Sequence, residues 1–199
     1  GQNPGTNHPR MLATLEAAKR RGSRIVAVNP LPEAGLLRFK NPQRANGVLG
    51  RGTQLSDLHL PIRIGGDQAL FQLWSLKMLQ REAERPGTID HDFIERHTAG
   101  FEAFRDHISG LDPDELLAAT GLDATLVDQA LEIVAAAERL IICWAMGITQ
   151  HRNATGTIRE IANFAFLGGH IGRPGAGLCP VRGHSNVQGN RTMCIWERP

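Results

Sequence analysis

No stretch of the 199-residue chain approaches the ~18 consecutive apolar residues that a membrane helix requires, although apolar residues make up 41% of it. With 21% charged residues, the composition is that of a soluble globular protein. An excess of charge is missing too. The 22 basic and 20 acidic residues are scattered and leave a net +2, which gives no electrostatic reason to expect nucleic acid or a membrane surface. An anionic ligand therefore has to be held locally. Cysteine is scarce: Cys143, Cys179 and Cys194 contain no CxxC pair, so they cannot build a zinc knuckle or an iron–sulfur ligand set alone. Their odd number speaks against a disulfide framework and for a reducing, cytoplasmic setting. Repeats and low-complexity tracts are absent as well.

What remains reads as alternating strands and helices. Asn7 is placed to cap a helix carrying Met11, Leu12, Leu15 and Ala18 on one face up to Gly22. Residues 24–28 form a short β-branched run ending at Asn29-Pro30, as a buried parallel strand does at its sheet edge. Residues 31–54, rich in glycine and proline, read as a long loop or insertion. Residues 57–62 are strand-like and lead through Gly65-Gly66-Asp67 into an amphipathic helix with Leu70, Leu73, Trp74 and Met78. The stretch 88–138 is helical, with starts at Asp112 and Asp123. Leu140–Cys143 is an apolar strand, residues 155–167 form a helix with Ile158, Ile161, Ala162 and Ala165, and residues 168–199 are a Gly/Pro-rich loop region. The expected fold is one α/β domain over 1–199, a Rossmann-like three-layer arrangement with a mostly parallel sheet. Both ends look cut, which points to a fragment of a larger multidomain enzyme.

In such folds ligands bind beyond the carboxyl ends of the strands, where the loops at Asn29-Pro30, Gly65-Gly66-Asp67 and Met146–Gln150 fall. The opening GQNPGTNH precedes a helix and has the backbone N–H groups and partial positive charge for an anion site, or it is a plain capped turn. Asp67 suits ribose hydroxyls, helix capping or both. The most unusual stretch combines Gly172-Arg173-Pro174-Gly175 with Pro180-Val181-Arg182-Gly183-His184-Ser185-Asn186-Val187-Gln188-Gly189. Ordering such residues costs ~1–2 kcal/mol each in backbone entropy, which favours a binding loop over an idle turn. Arg182 provides a bidentate cation for carboxylates or phosphates, and His184 is either a proton carrier or a hydrogen-bonded loop histidine. His59, His91, His97, His107, His151 and His170 lack ligand-like spacing and read as surface or packing residues.

Taken in order, GQNPGTNHP, Asp67, Thr120-Gly121, Ala145-Met146-Gly147-Ile148-Thr149-Gln150, Gly169-His170-Ile171-Gly172-Arg173-Pro174-Gly175 and the Pro180–Gly189 string resemble formate dehydrogenase alpha subunits of the dimethyl sulfoxide reductase superfamily. The likeness covers nearly the whole chain outside 31–54. It implies a bis(molybdopterin guanine dinucleotide) cofactor with molybdenum or tungsten, and two-electron oxidation or reduction of a small substrate.

The resemblance places nucleotide contacts on Gly1, Asn3, Thr6, Asn7, Val28, Asn29, Gly65 and Asp67. It places pterin contacts on Met146, Gly147 and Gln150 and sets Arg182 beside the substrate; Gly183 joins the cofactor-binding set, and His184, in the same charged, glycine-rich loop, is expected to line the substrate approach. No metal ligand is assigned within the chain. The molybdenum ligand, any [4Fe–4S] cluster and an electron-transfer partner subunit would belong to other parts of the protein. The family motif reads PVRGQNN, whereas His184 and Ser185 stand here, and that exchange counts against formate as the substrate. Two other readings remain open. A non-catalytic nucleotide-binding or regulatory Rossmann-like module would keep the fold without the cofactor. An NAD-dependent dehydrogenase domain is disfavoured because no GxGxxG follows any strand.

Overall fold

The computed structural model describes residues 2–184 and 187–195. In chain order the elements are α1 (Pro4–Asn7), α2 (Pro9–Arg20), β1 (Val26–Val28), α3 (Ala34–Leu37), β2 (Arg38–Phe39), α4 (Ala45–Val48), β3 (Thr53–Gln54), β4 (Leu58–Leu60) and α5 (Asp67–Glu84). They continue as α6 (His91–His97), α7 (Phe101–Ser109), α8 (Pro113–Thr120), α9 (Ala124–Ala135), β5 (Ile141–Trp144), α10 (Met146–Thr149), α11 (Ala154–Leu167), β6 (Gly177–Pro180) and α12 (Val187–Thr192). The class is α/β with parallel strand pairing. The strands pair two by two: β1 with β4 and β5 with β6 in parallel, β2 with β3 antiparallel.

One hydrophobic core joins these pieces. Leu60 and Ile62 from the β4 region, Leu70, Leu73 and Trp74 of α5, Val127 and Leu131 of α9, Trp144 of β5 and Phe164 of α11 are all buried in it. At its centre α5 and α11 pack along each other, and Phe71, Trp74 and Phe164 meet with ring centroids 5.4–5.7 Å apart. Such offset and edge contacts are the favoured geometry for aromatic rings. The buried indole of Trp74 also donates to the Val127 carbonyl at 3.3 Å, so its polar atom is satisfied inside the core. Asp112 and Asp123 cap α8 and α9 as their positions predict, accepting from Asp114 N and Thr125 N at 2.8 Å each.

Several local expectations are corrected. Asn7 does not cap the first long helix. Pro4 and Pro9 each open a helix, Asn3 caps the first, and the chain breaks at His8 (φ −140, ψ 64), because a residue before proline is pushed out of the α region. Asp67 is not a cap either: Gly66 is, and Asp67 is the first helical residue. The stretch 168–199 is not all loop, since Gly177–Pro180 extends beside β5 and Val187–Thr192 is helical. Residues 31–54 likewise hold α3, β2, α4 and β3.

A single acid organises that last segment. Glu16 of α2 is only 4% exposed and receives hydrogen bonds from Asn41 at 2.8 Å and Thr53 at 2.7 Å, with Arg20 at 3.0 Å and Arg44 at 3.6 Å. These side chains cover it close beneath the surface. The Asn41 hydrogen bond first, then Thr53 and the two arginines, outweigh the opposing effect of burial and hold its carboxyl below the usual value. A lowered folded-state pKa stabilises above the unfolded pKa, and that contribution is lost as pH falls through the folded value. Glu16→Ala leaves the buried Asn41 amide without its acceptor and should cost about 3 kcal/mol, with new trypsin cleavage between Arg38 and Arg51. Glu16→Gln, which keeps an acceptor, should cost less. Equal cleavage in wild type and Glu16→Ala would remove Glu16 from this role.

Candidate functional site

The parallel pairs send their chains out at Val28, Leu60, Trp144 and Pro180, and the loops after the last two touch where Gly183 lies against Met146. The N-terminal turn reaches two of these loops. Asn3 caps α1 by accepting from Gly5 N at 3.1 Å, donates to Thr6 Oγ1 at 3.0 Å, and donates to Glu33 in the loop after β1. Backbones touch there: a Cβ on Gly5 would lie 2.8 Å from the Gly35 Cα, so glycine is required at this crossing. His8 donates from Nε2 to the Arg182 carbonyl at 3.2 Å, tying the same turn to the loop after β6. Gln2 donates to His8 Nδ1 at 3.2 Å, which fixes that tautomer.

The loops after β5 and β6 enclose a cavity of about 170 Å³ lined by Trp144, Met146, Thr149, Val181, Arg182 and His184, among others. Gly183 lies against Met146, and a Cβ there would sit 3.3 Å from the Met146 sulfur. Trp144 is 5% exposed, and its indole Nε1 has no hydrogen-bond partner among the described residues. A buried N–H left unpaired costs ~1–3 kcal/mol, so this donor beside a cavity is a place for a ligand acceptor. A space of this size holds a small substrate or part of a larger cofactor, since full ligand pockets run to ~300–1,000 Å³.

The loop after β4 contributes Asp67. Gly65 takes φ +87, and a Cβ on Gly66 would come within 3.0 Å of Ala119 O and the Thr120 Cα, so the chain turns into α5 pressed against the end of α8. This buries Asp67 to 8% exposure. Burial raises its carboxyl above the ordinary value, opposed by its own backbone N–H and by His151 near the end of α10. A carboxylate whose burial is imperfectly compensated is a candidate for ligand hydroxyls.

The structure thus brings together Asn3 and Thr6 with the loop after β1, Met146 with Gly183, Arg182 and His184 around one cavity, and Asp67 near His151. Asn7, Gly147 and Gln150 are exposed beside them and do not line the cavity, and Val28 packs against the core while Asn29 donates to the Leu60 and Leu31 carbonyls. Gly1, Ser185 and Asn186 lie outside the described residues. Sequence reading left out Glu33, Trp144 and Thr149 and gave His8 no part of its own. It treated His151 as a surface or packing residue. Trp144 was discoverable, because it is the last residue of an apolar strand whose following loop had been singled out. Among the described residues no group of three or more His, Cys, Asp or Glu is arranged to hold a metal ion, and no helix is long and apolar enough to cross a membrane.

No protein-family model matches the chain. An uncharacterized oxidoreductase of Mycobacterium tuberculosis is 51% identical over 199 residues, 100% of this chain and 26% of that protein. Formate dehydrogenase H of Escherichia coli is 30% identical over 189 residues, 95% of this chain and 23% of that protein. Over nearly its whole length the chain is thus similar to part of an oxidoreductase and part of a formate dehydrogenase. It spans about a quarter of the length of the curated relatives it matches. Among solved structures, acetylene hydratase from Pelobacter acetylenicus superposes with a TM-score of 0.63 over 83% of this chain and 20% of that one. At 22% identity this likeness speaks for the fold.

Proposed function

We propose that this chain holds the guanine dinucleotide and pterin ends of a bis(molybdopterin guanine dinucleotide) cofactor in a molybdenum or tungsten oxidoreductase of formate dehydrogenase type. The cavity between the loops after β5 and β6 carries this reading, because it sets the unpaired Trp144 indole N–H, glycine backbone and the Arg182 cation around one space, with the N-terminal turn tied to its rim through His8. Asn3, Thr6, Asn7, Val28, Asn29, Gly65 and Asp67 would grip the nucleotide ends, with Gly1 joining them. Met146, Gly147, Gln150 and Gly183 would face the pterin. The cofactor, when bound, supplies two-electron redox chemistry at its metal. This chain supplies grip and electrostatics: buried Asp67 accepts from ribose hydroxyls, Arg182 orients a polar or anionic small substrate, and His184 moves a proton.

The relatives named as oxidoreductases and formate dehydrogenases support a redox enzyme, with an electron-transfer partner subunit as the natural sink for the electrons. The three unbridged cysteines favour a cytoplasmic setting. Metal and nucleotide analysis of the full-length protein tests the proposal. We expect stoichiometric molybdenum or tungsten and, on acid release, two guanine nucleotides per metal; a folded, purified protein with neither overturns it.

A further inference from the structure

Cys143 and Cys179 are 36 residues apart in sequence (179 − 143), yet β5 and β6 place them directly opposite each other in parallel register. Opposed residues on neighbouring strands point to the same face, and strands lie ~4.7–4.9 Å apart. That spacing falls inside the ~4.4–6.8 Å between Cα atoms that a disulfide spans. Both thiols are free, Cys143 is exposed and Cys179 half-buried, and Ile141 on the same face of β5 is 56% exposed. Among the described residues nothing covers this face at the position where the two sulfurs meet.

We propose that Cys143 and Cys179 form a redox-active dithiol that closes to a cross-strand disulfide by exchange with a small-molecule disulfide of the glutathione type. One cysteine thiolate attacks one sulfur of the reagent, forming a mixed disulfide and expelling one thiolate. The opposite cysteine then gives up its proton to that departing thiolate, attacks the sulfur of the first and expels the second thiol. The protein loses two electrons and two protons, and one disulfide is reduced to two thiols. Strands already fixed by ladder hydrogen bonds leave the new bridge little room to relax, and strained, exposed disulfides are the readily reduced ones. The modification is thus reversible.

The test uses the full-length protein, reduced and then equilibrated with oxidised and reduced glutathione at a series of ratios, followed by thiol blocking, digestion and mass spectrometry. We expect a linked pair of peptides carrying Cys143 and Cys179, two hydrogens lighter than their sum and released by dithiothreitol. Cys143→Ser and Cys179→Ser should each stop at the glutathione mixed disulfide of the remaining cysteine, with no linked peptide pair. Recovery of both cysteines as free thiols at the most oxidising ratio overturns the proposal. So does a bridge made through Cys194 instead, or a linked Cys143–Cys179 peptide pair absent while both single variants take up glutathione.

Discussion

Asp67→Asn should make the protein more stable and less able to keep its cofactor, and the two effects should move in opposite directions in the same preparation. Burial raises the folded-state pKa of Asp67. A raised folded pKa contributes stability that is fully present below the unfolded value of an aspartate, ~3.9, and is lost as pH rises through the folded pKa. At neutral pH the ionised carboxylate is therefore a liability in the empty protein. Replacing it by the neutral amide removes that liability, and each kcal/mol recovered raises Tm by roughly 2–4 °C for a chain of this size. Ribose hydroxyls donating to a carboxylate contribute ~1.5–3 kcal/mol, so the same change should weaken cofactor retention by roughly 10- to 150-fold. Calorimetry of the cofactor-free protein at pH 7 and at pH 4 measures the first effect, which should shrink at the lower pH. Metal content after dialysis measures the second. A lower Tm at pH 7, or full metal retention, would make Asp67 an ordinary first-turn acid at the start of α5.

The liability at Asp67 illustrates what the sequence disclosed and what it did not. Strand-turn-helix punctuation at 57–78 announced the element boundary, and Gly65-Gly66 announced the tight turn, because both are local. That Asp67 is buried rather than capping could not be read locally. It depends on Ala119 and Thr120 at the end of α8 closing over the turn, more than 50 residues away in sequence. The same distinction explains residues 31–54. Their glycines and prolines describe a loop correctly at the level of propensity, but Glu16 on a preceding helix recruits Asn41, Thr53 and Arg44 from it and so orders the segment. β6 escaped notice for a related reason: Gly177-Leu178-Cys179-Pro180 has poor strand propensity, and only pairing with β5 makes it a strand. The cysteine pair followed from that register alone. The loops carrying Arg182 and Met146 were legible in advance, since polar residues between glycines after an apolar run are a local signal with a physical cost behind it.

Arg182→Ala should leave metal and nucleotide content near wild type and lower kcat/KM by about 10²-fold, as expected when one preorganised charged donor is removed from beside a reacting centre. Arg182 is exposed on the cavity lining, while its carbonyl, not its side chain, is engaged by His8. The guanidinium is therefore available to a ligand, and the backbone that positions it is held independently of the side chain. Arg182→Lys keeps the charge but loses the bidentate fork, so it should recover only part of the loss, mostly in KM. His184 lies on the same cavity two residues on, and His184→Gln should remove the limb of the pH–rate profile that an exchanging imidazole contributes. Because glutamine is the residue of the formate dehydrogenase motif at this position, the variant should also raise turnover of formate relative to the natural substrate. Separating the two residues in this way distinguishes orientation from proton transfer: the arginine variants change the rate at every pH, and the histidine variant changes its pH dependence. Loss of cofactor from both Arg182→Ala and His184→Gln, with turnover per metal atom unchanged, would instead make the loop a clamp on the pterin and leave the substrate to be recognised elsewhere.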